Sequence, residues 1–391
     1  MTGMTGMTGT LAAAVEVDAL LLVSFGGPEG PDDVLPFLRN VTAGRDIPQS
    51  RLEVVAEQYR MFGGRSPLND QNRRLAEVLR AELPGLPVYW GNRNWAPYLT
   101  DTVAEMAAAG VRRAACFVTS AFSSYSGCRQ YRENLAAALA ALPPGAAAPE
   151  LVKLRLFFDH PGFVAPMVDR CVTALSELPE KARADAHLLF TAHSLPLSQA
   201  RSSGPHGDAY PRQLRAVAEM IADGVQGLTG VRHRVELAYC SRSGPPAVPW
   251  LEPDVGDRLA ELAAAGAMGA VVVPLGFVSD HMEVAYDLDV LAAQRAGQVG
   301  LPMARAGTVG TDPRFVAMVR ELVEEIRHPD LPRRALTELG PWPEQCAAHC
   351  CQPPQQPPRA IQNAAEGGRC RDAAILMGNK VTGTGRRGER R

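Results

Sequence analysis

The stretch Leu188-Leu189-Phe190-Thr191-Ala192-His193 decides the fold, together with a second apolar run, Val271-Val272-Val273-Pro274, that leads to a carboxylate at Glu283. Each run has the unbroken apolar character of a strand buried in a parallel sheet. In open α/β sheets, reactive groups collect just beyond the carboxyl ends of the strands. We therefore predict that His193 and Glu283 face one cleft, where an imidazole and a carboxylate can bind a metal ion or move protons.

The length and charge of the chain indicate a soluble enzyme. It has 391 residues, enough for two domains, and its 40 Lys and Arg nearly balance its 42 Asp and Glu, for a formal charge of -2. This balance gives no electrostatic reason to bind nucleic acid or an anionic membrane. The apolar runs at residues 19–25 and 269–277 are far shorter than the roughly 20 residues that span a bilayer. We therefore predict no membrane span.

Strand-like and helix-like patterns alternate along the chain. The predicted strands cover residues 19–23, 86–90, 114–119, 151–157, 187–191, 234–238 and 270–274. The predicted amphipathic helices cover residues 71–81, 99–110, 131–141, 162–176, 210–221, 256–265 and 313–327. This alternation predicts an α/β fold of two Rossmann-like lobes, each a parallel sheet flanked by helices, with a cleft between them.

The composition suggests where the lobes begin and end. A Pro-, Gly- and Ala-rich linker at residues 142–150 favours a boundary near residue 160. We predict the following division of the chain: a disordered N-terminal extension at 1–17, a first lobe at 18–160, a second lobe at 161–305, a helix at 306–330 that returns to the first lobe, and a largely disordered, cysteine-containing tail at 331–391.

The glycine-rich turn after the first strand does not match a phosphate-binding loop. A dinucleotide fold requires Gly-x-Gly-x-x-Gly, whereas this chain has Gly26-Gly27-Pro28-Glu29 followed by Gly-Pro. Pro28 lacks a backbone donor, and Glu29 would repel a phosphate. We therefore expect no nucleotide cofactor, which argues against a sugar-nucleotide or NAD enzyme.

Seven ordered segments together resemble the ferrochelatase family, and most closely its actinobacterial, coproporphyrin III-using branch. They are residues 20–28, 62–69, 91–95, 191–196, 241–246, 250–253 and 276–289, so the resemblance covers about residues 18 to 330. It implies a two-lobed chelatase fold. It also implies the insertion of ferrous iron, as a substrate, into a free-base porphyrin, with removal of two pyrrole protons in haem biosynthesis.

The resemblance assigns His193 and Glu283 as catalytic and iron-binding residues on opposite sides of the porphyrin. A neutral imidazole binds ferrous iron and also accepts protons near neutral pH, so His193 suits either role, and we favour proton acceptance. The alternative is that His193 is only a buried histidine at a strand end and that Glu283 lies on a solvated helix face.

Asp287 lies four residues after Glu283 and would extend an acidic ridge along the helix, although Leu291 replaces the next acid of the family. For Asp287, a solvent-facing helix position is the alternative.

The resemblance also implies a porphyrin pocket. Ser66 and Tyr131 match positions that touch the porphyrin, and Tyr59 lies in the same entrance segment. Ordinary packing or capping is the alternative for Ser66, Tyr131 and Tyr59.

Three residues depart from the pattern of some relatives. Phe25 replaces a tyrosine near the metal, so no oxygen ligand is expected there. Arg93 and Asn94 replace a Lys and a His, and they would contact a carboxylate instead of the metal.

The entrance segment favours coproporphyrin III over protoporphyrin IX. Its charged residues are Arg39, Arg45, Asp46, Arg51, Glu53, Glu57 and Arg60. Such a polar entrance suits the four propionates of coproporphyrin III, although a merely solvated face would have the same composition. We further expect a cytoplasmic monomer that makes transient contact with the preceding and following enzymes of the haem pathway.

The cysteines suggest a second chemistry. Some ferrochelatases hold a [2Fe-2S] cluster with three C-terminal cysteines and one from the first lobe. Here Cys346, Cys350 and Cys351 would supply three ligands and Cys128 the fourth, with Cys370 as a substitute for one of the adjacent pair. The alternatives are a zinc site, a redox-active thiol group or a free tail.

Two further functions remain compatible with the same sequence features. A cobalt or nickel chelatase acting on another tetrapyrrole would share the lobes and the histidine chemistry. A non-catalytic tetrapyrrole or iron carrier would keep the pocket without metallating its ligand.

Overall fold

A computed structural model describes residues 15–45, 47–244 and 247–353 of the chain. The predicted positions Asp46 and Cys370, most of the expected extension at residues 1–17, and the tail beyond residue 353 lie outside these described residues.

Two parallel sheets form the framework. The first sheet contains β1 (Ala19–Ser24), β2 (Val88–Asn92), β3 (Arg113–Val118) and β4 (Glu150–Lys153) in the order β2-β1-β3-β4. The second contains β5 (Ala186–His193), β6 (Val235–Cys240), β7 (Gly269–Val273) and β8 (Met303–Arg305) in the order β6-β5-β7-β8. The central strands β1, β5 and β7 are almost wholly buried, as apolar runs covered on both faces require.

Helices connect the strands and cover the sheets. They are α1 (Val34–Val41), α2 (Gln49–Arg60), α3 (Leu68–Glu82), α4 (Leu99–Ala108), α5 (Gln130–Ala140), α6 (Pro161–Glu177), α7 (Glu180–Arg183), α8 (Leu197–Arg201), α9 (Ala209–Thr229), α10 (Val255–Ala264), α11 (Met282–Tyr286), α12 (Ala293–Gln298) and α13 (Pro313–Arg327). The predicted α/β fold of two helix-flanked parallel sheets is thereby confirmed. The sequence patterns did not indicate α2 or the short strand β8.

One predicted strand is longer than the observed strand. Residues 151–157 were expected to form a strand, but β4 ends at Lys153. Residues 154–157 instead cross the core, where the Phe157 ring stacks on Phe117 with 5.2 Å between ring centroids. The chain leaves the first sheet here because it must reach α6 and the second lobe.

The last helix, α13, packs against α3 and β3 of the first lobe and against α6. Its Phe315 ring lies 5.9 Å from that of Phe117. The backbone amide of Val15 donates to the carbonyl of Arg327 over 2.8 Å, so the start of the described chain lies beside the end of this helix.

The prediction of a largely disordered tail from residue 331 is wrong for residues 331–353. The amide of Leu336 donates to the carbonyl of Asp159 over 2.9 Å, and the hydroxyl of Thr337 donates to its carboxylate over 2.8 Å. Trp342 is buried, with its ring 5.8 Å from that of Phe158. These long-range contacts order a segment whose Pro- and Gly-rich composition has no periodic pattern.

No helix among the described residues is long and apolar enough to cross a membrane.

A buried ion pair joins α13 to residues 154–157, the segment that crosses the core after β4. The guanidinium of Arg155 contacts both carboxylate oxygens of Glu325, at 2.6 and 2.8 Å, and both side chains are almost completely buried. Its terminal nitrogen also donates to the carbonyl of Arg334, over 3.0 Å.

Removing one partner of this pair is expected to destabilise the protein strongly. Arg155→Met should lower the free energy of unfolding by about 3–5 kcal/mol, because it leaves the Glu325 carboxylate buried and unpaired. The double variant Arg155→Met/Glu325→Leu should recover most of this loss. Urea denaturation measures both values, with Arg60→Ala, in an exposed pair with Glu57, as a control expected to change by less than about 1 kcal/mol. A single variant as stable as the control would contradict the expectation.

Candidate active site

His193 and Glu283 lie together at the carboxyl edge of the second sheet. His193 is the last residue of β5, and Glu283 lies in the first turn of α11, which follows β7. Since β5 and β7 are neighbouring parallel strands, both side chains emerge at one edge. The imidazole Nε2 lies 3.3 Å from Glu283 Oε1. The structure thus brings together the two side chains singled out from the sequence. The expectation that they lie on opposite sides of the porphyrin is wrong, because a gap of 3.3 Å between them leaves no room for a macrocycle. Their catalytic roles stay predictions.

A glycine allows this approach. The Gly276 amide donates to the carbonyl of Thr191 over 2.9 Å, so the loop after β7 runs directly against the end of β5. A Cβ atom at position 276 would lie 2.6 Å from the Cβ atom of Ala192, closer than real Cβ atoms approach. Any larger residue would force this loop away from the residue beside His193.

The His193 ring is oriented from both sides. Its Nδ1 lies 2.5 Å from the carbonyl of Ser194 and donates to it, which directs Nε2 toward Glu283. The Tyr210 hydroxyl donates to the His193 carbonyl over 3.0 Å. The imidazole therefore enters the cleft in one defined orientation.

The charges of this pair are mutually stabilising. Burial disfavours the imidazolium, but Glu283 outweighs this effect and raises the pKa of His193 to about 9. Burial likewise disfavours the carboxylate, but His193 lowers the pKa of Glu283 to about 2. Their side chains are nevertheless 31% and 45% exposed, so a ligand in the cleft can reach both.

His281 is a third member of the site. Its Nδ1 accepts a hydrogen bond from the Glu283 amide over 3.2 Å and lies 3.6 Å from Glu283 Oε2. Burial lowers the pKa of His281, so its ring is neutral beside the charged His193. His281 is a site residue with no predicted role, although its position two residues before Glu283, at the N-cap of a helix, was a usable signal in the sequence.

Asp287 lies one turn beyond Glu283, where the helix continues into a π-helical segment, Asp287–Ala292. The hydroxyl of Ser241, whose φ of 62° is left-handed, donates to the Asp287 carboxylate. Burial raises the pKa of Asp287 to about 6. The half-buried Asp287 therefore differs from a solvated helix acid, whereas Leu291 is 44% exposed.

The first lobe supplies an aromatic wall. The guanidinium of Arg93 lies over the ring of Phe25, 5.3 Å from its centroid, and over the ring of Tyr131, at 5.1 Å. The Asn94 amide groups donate to the Phe25 carbonyl. Arg93 thus joins two of the predicted porphyrin-binding residues, while Asn94 supports the backbone.

Tyr59 and Ser66 have different surroundings. The Tyr59 ring packs edge-on against Phe37, and burial, assisted by the nearby charge of Glu283, raises the pKa of its phenol. Tyr59 therefore approaches Glu283 from the first lobe. Ser66 is buried, and its hydroxyl accepts from the amide of Leu68, the first residue of α3, over 3.3 Å.

The four predicted cluster cysteines also lie together. Cys128, in the π-helical turn Tyr125–Arg129, interacts with Cys346, which interacts with Cys350. The sulfur atoms of Cys350 and Cys351 are 3.7 Å apart. Hydrogen bonds from Cys128 and Cys350 lower the pKa of Cys346. Within residues 15–45, 47–244 and 247–353, no group of His, Cys, Asp or Glu has the arrangement of a preformed metal site.

The two lobes, each built on a parallel sheet flanked by helices, have the fold of the two-lobed chelatases, with an imidazole and a carboxylate at one strand edge. Among solved structures, SirB from Bacillus subtilis with Fe3+ is similar, with a TM-score of 0.50 and 11% identity, covering 80% of this chain and 96% of that one. At this identity the likeness establishes the shared fold alone.

The ferrochelatase family model matches residues 17–326, and the chain belongs to the ferrochelatase family. It is 88% identical to the coproporphyrin III ferrochelatase of Frankia alni over 379 residues, which covers 96% of this chain and 98% of the relative. It is 56% identical to the enzyme of the same name from Streptomyces coelicolor, covering 90% and 96%. The predicted family membership is thereby confirmed.

The titration of His193 provides a test of the site. NMR of the metal-free protein should give His193 a pKa near 9, above its ordinary value of 6.5, and Glu283→Gln should lower it by removing the negative charge. The raised value stabilises the fold fully below about pH 6.5, and this contribution is lost as the pH rises through about 9. A His193 that titrates identically in wild type and Glu283→Gln would contradict the pairing.

Proposed function

We propose that this protein inserts ferrous iron into coproporphyrin III, giving iron coproporphyrin III and two protons, in haem biosynthesis. The observation that carries the proposal is the His193–Glu283 pair, 3.3 Å apart and open to a ligand, within a chain of the ferrochelatase family. The relatives with 88% and 56% identity are both named coproporphyrin III ferrochelatase. The similarity covers 98% and 96% of their lengths.

In this proposal, iron replaces a proton at the pair. The imidazolium of His193 and the carboxylate of Glu283 neutralise each other in the free protein, and an arriving divalent cation repels the proton on the ring. This proton passes to solvent, and the neutral ring can then accept the two pyrrole protons one after the other. Glu283 retains its charge at neutral pH and holds the cation. Asp287, with a pKa of about 6, offers the next acceptor along the helix for outgoing protons.

The first lobe would hold the porphyrin. The rings of Phe25 and Tyr131 offer flat apolar surface, and Arg93 between them offers a cation for a propionate. A phenyl ring has no atom that ligates iron, so Phe25 would only pack. Tyr59 would line the entrance to the pocket. Ser66 would shape the pocket indirectly, by fixing the turn that precedes α3.

Charges at the entrance support coproporphyrin III as the substrate. Among the described residues, Arg39, Arg45 and Arg51 have no carboxylate within ion-pair distance, and all three are exposed or nearly so. Coproporphyrin III carries four propionates, whereas protoporphyrin IX carries two. Cations near the cleft therefore favour the more highly charged porphyrin.

We further propose that Cys128, Cys346, Cys350 and Cys351 hold a [2Fe-2S] cluster. Four neighbouring thiols match the type and number of ligands that such a cluster needs, and the low pKa of Cys346 favours the thiolate form. When bound, the cluster would link the segment around Cys346 to the first lobe. Its role would be structural or sensory, because porphyrin metallation transfers no electron.

Localisation in the cytoplasm, a monomeric state and transient contact with neighbouring haem-pathway enzymes stay predictions from the sequence.

The proposed reaction is tested by anaerobic ferrous insertion with coproporphyrin III and protoporphyrin IX side by side. Wild type should prefer coproporphyrin III. His193→Ala and Glu283→Gln should each lower kcat by about 100-fold or more, because each removes a group that handles the proton or the cation. Exposed residues far from the cleft supply the controls, His328→Ala and Glu105→Gln, which should match wild type. Equal rates with both porphyrins would refute the substrate, and full activity in both site variants would refute the mechanism.

The cluster is tested by visible absorption of protein purified without oxygen. Wild type should show charge-transfer bands of an iron–sulfur cluster, and Cys346→Ser should lose them, since a hydroxyl is a poor substitute for a thiolate. Cys116→Ala, a buried thiol in β3, serves as the control that should retain the bands. A colourless wild type, or unchanged bands in Cys346→Ser, would refute the assignment.

A further inference from the structure

The side chain of Gln71 forms two hydrogen bonds with the backbone of one residue of the other lobe, one with its N–H and one with its C=O. Gln71 lies on α3 of the first lobe, and its Nε2 donates to the carbonyl of Asp280 over 2.8 Å. The amide of Asp280 in turn donates to Gln71 Oε1 over 2.9 Å. Both distances are those of good hydrogen bonds, and together they make an amide pair resembling the pairing between two strands.

The residue that Gln71 holds belongs to the loop that carries the carboxylate of the active site. Asp280 precedes Glu283 by three residues, between β7 and α11. From the second lobe, Arg305 contacts the Asp280 carboxylate at 3.3 Å. From the segment that follows this lobe, the Gly310 amide donates to the carbonyl of Val278 over 3.0 Å. Gln71 adds the connection from the first lobe.

A cavity adjoins this contact. It has a volume of about 280 Å³, and its lining includes Gln71, Asn72 and Thr119 from the first lobe and Ser279 and Asp280 from the second. The lobes therefore do not pack tightly against each other beside the loop. Without the amide pair, the N–H and C=O of Asp280 would face this space, where water can bind them.

We propose that Gln71 is a positioning residue for metal insertion: it anchors the Glu283 loop to the first lobe and so fixes the distance between Glu283 and the porphyrin wall. The inference rests on the proposed function and deepens it. Tyr59, Arg93 and Tyr131 belong to the first lobe, whereas Glu283 belongs to the second. A cation held by Glu283 reaches the porphyrin correctly only if the lobes keep a fixed separation, and displacements of about 1 Å can cost 100-fold in rate.

The test removes the hydrogen bonds while retaining the shape of the side chain. Gln71→Met has a similar length and no amide, and Gln71→Glu keeps the acceptor while losing the donor at neutral pH. With ferrous iron and coproporphyrin III, we expect kcat to fall about 10- to 100-fold in Gln71→Met and less in Gln71→Glu. The Kd for coproporphyrin III, measured by fluorescence quenching, should stay within about twofold of wild type in both variants.

A neighbouring variant and a structural measurement complete the test. Arg74→Ala, on the same helix and lining the same cavity, should have wild-type kcat. Hydrogen exchange should become faster at residues 278–283 in Gln71→Met, with the melting temperature little changed. This combination separates positioning from general destabilisation.

If wild type is active and Gln71→Met is equally active, the positioning role of Gln71 is overturned and the proposed function stays intact. A Gln71→Met variant in which kcat falls only in proportion to a lost folded fraction would also overturn it. A wild type that metallates neither porphyrin would refute the proposed function, and the role of Gln71 with it.

Discussion

The contact between His193 and Glu283 depends on the adjacency of β5 and β7. His193 ends β5 and Glu283 follows β7, and the parallel register of these strands brings both to the same edge of the second sheet. Gly276 lets the connecting loop pass against the end of β5. The second lobe thus carries the His193–Glu283 ion pair, while the first lobe supplies aromatic surface and cations. The ion pair lies on one side of the cleft, and the aromatic surface lies on the other.

One carboxylate organises the electrostatics of the cleft. Glu283 raises the pKa of His193 and contributes to the raised pKa of Tyr59, and it lies beside the neutral ring of His281. Because the two histidines lie on either side of the same carboxylate, only one of them needs to carry a proton. In the proposed reaction, a divalent cation entering this site would displace one proton and would not have to overcome two positive rings. The lowered pKa of Glu283 keeps its charge available throughout the neutral range.

Local sequence patterns were sufficient for the central strands of both sheets, because strands buried on both faces require the unbroken apolar runs found at residues 19–23 and 270–273. They also placed His193 and Glu283 at strand ends. The polar helix α2, the order of residues 331–353 and the contact of Gln71 were not predictable in this way. Each depends on residues distant in the chain and has no periodic signal of its own. The fourth cysteine, Cys128, was suggested by family resemblance alone.

The placement of α13 has a consequence for folding during translation. Its apolar face, with Phe315 and Leu322, completes the core around β1 and β3, and its end pairs with Val15. A ribosome makes the first lobe long before it makes this helix. The nascent first lobe therefore emerges with part of its sheet uncovered, and it can reach its final packing only after translation has passed residue 327. Premature termination within α13 would leave an aggregation-prone chain even though every residue of the catalytic cleft had been made.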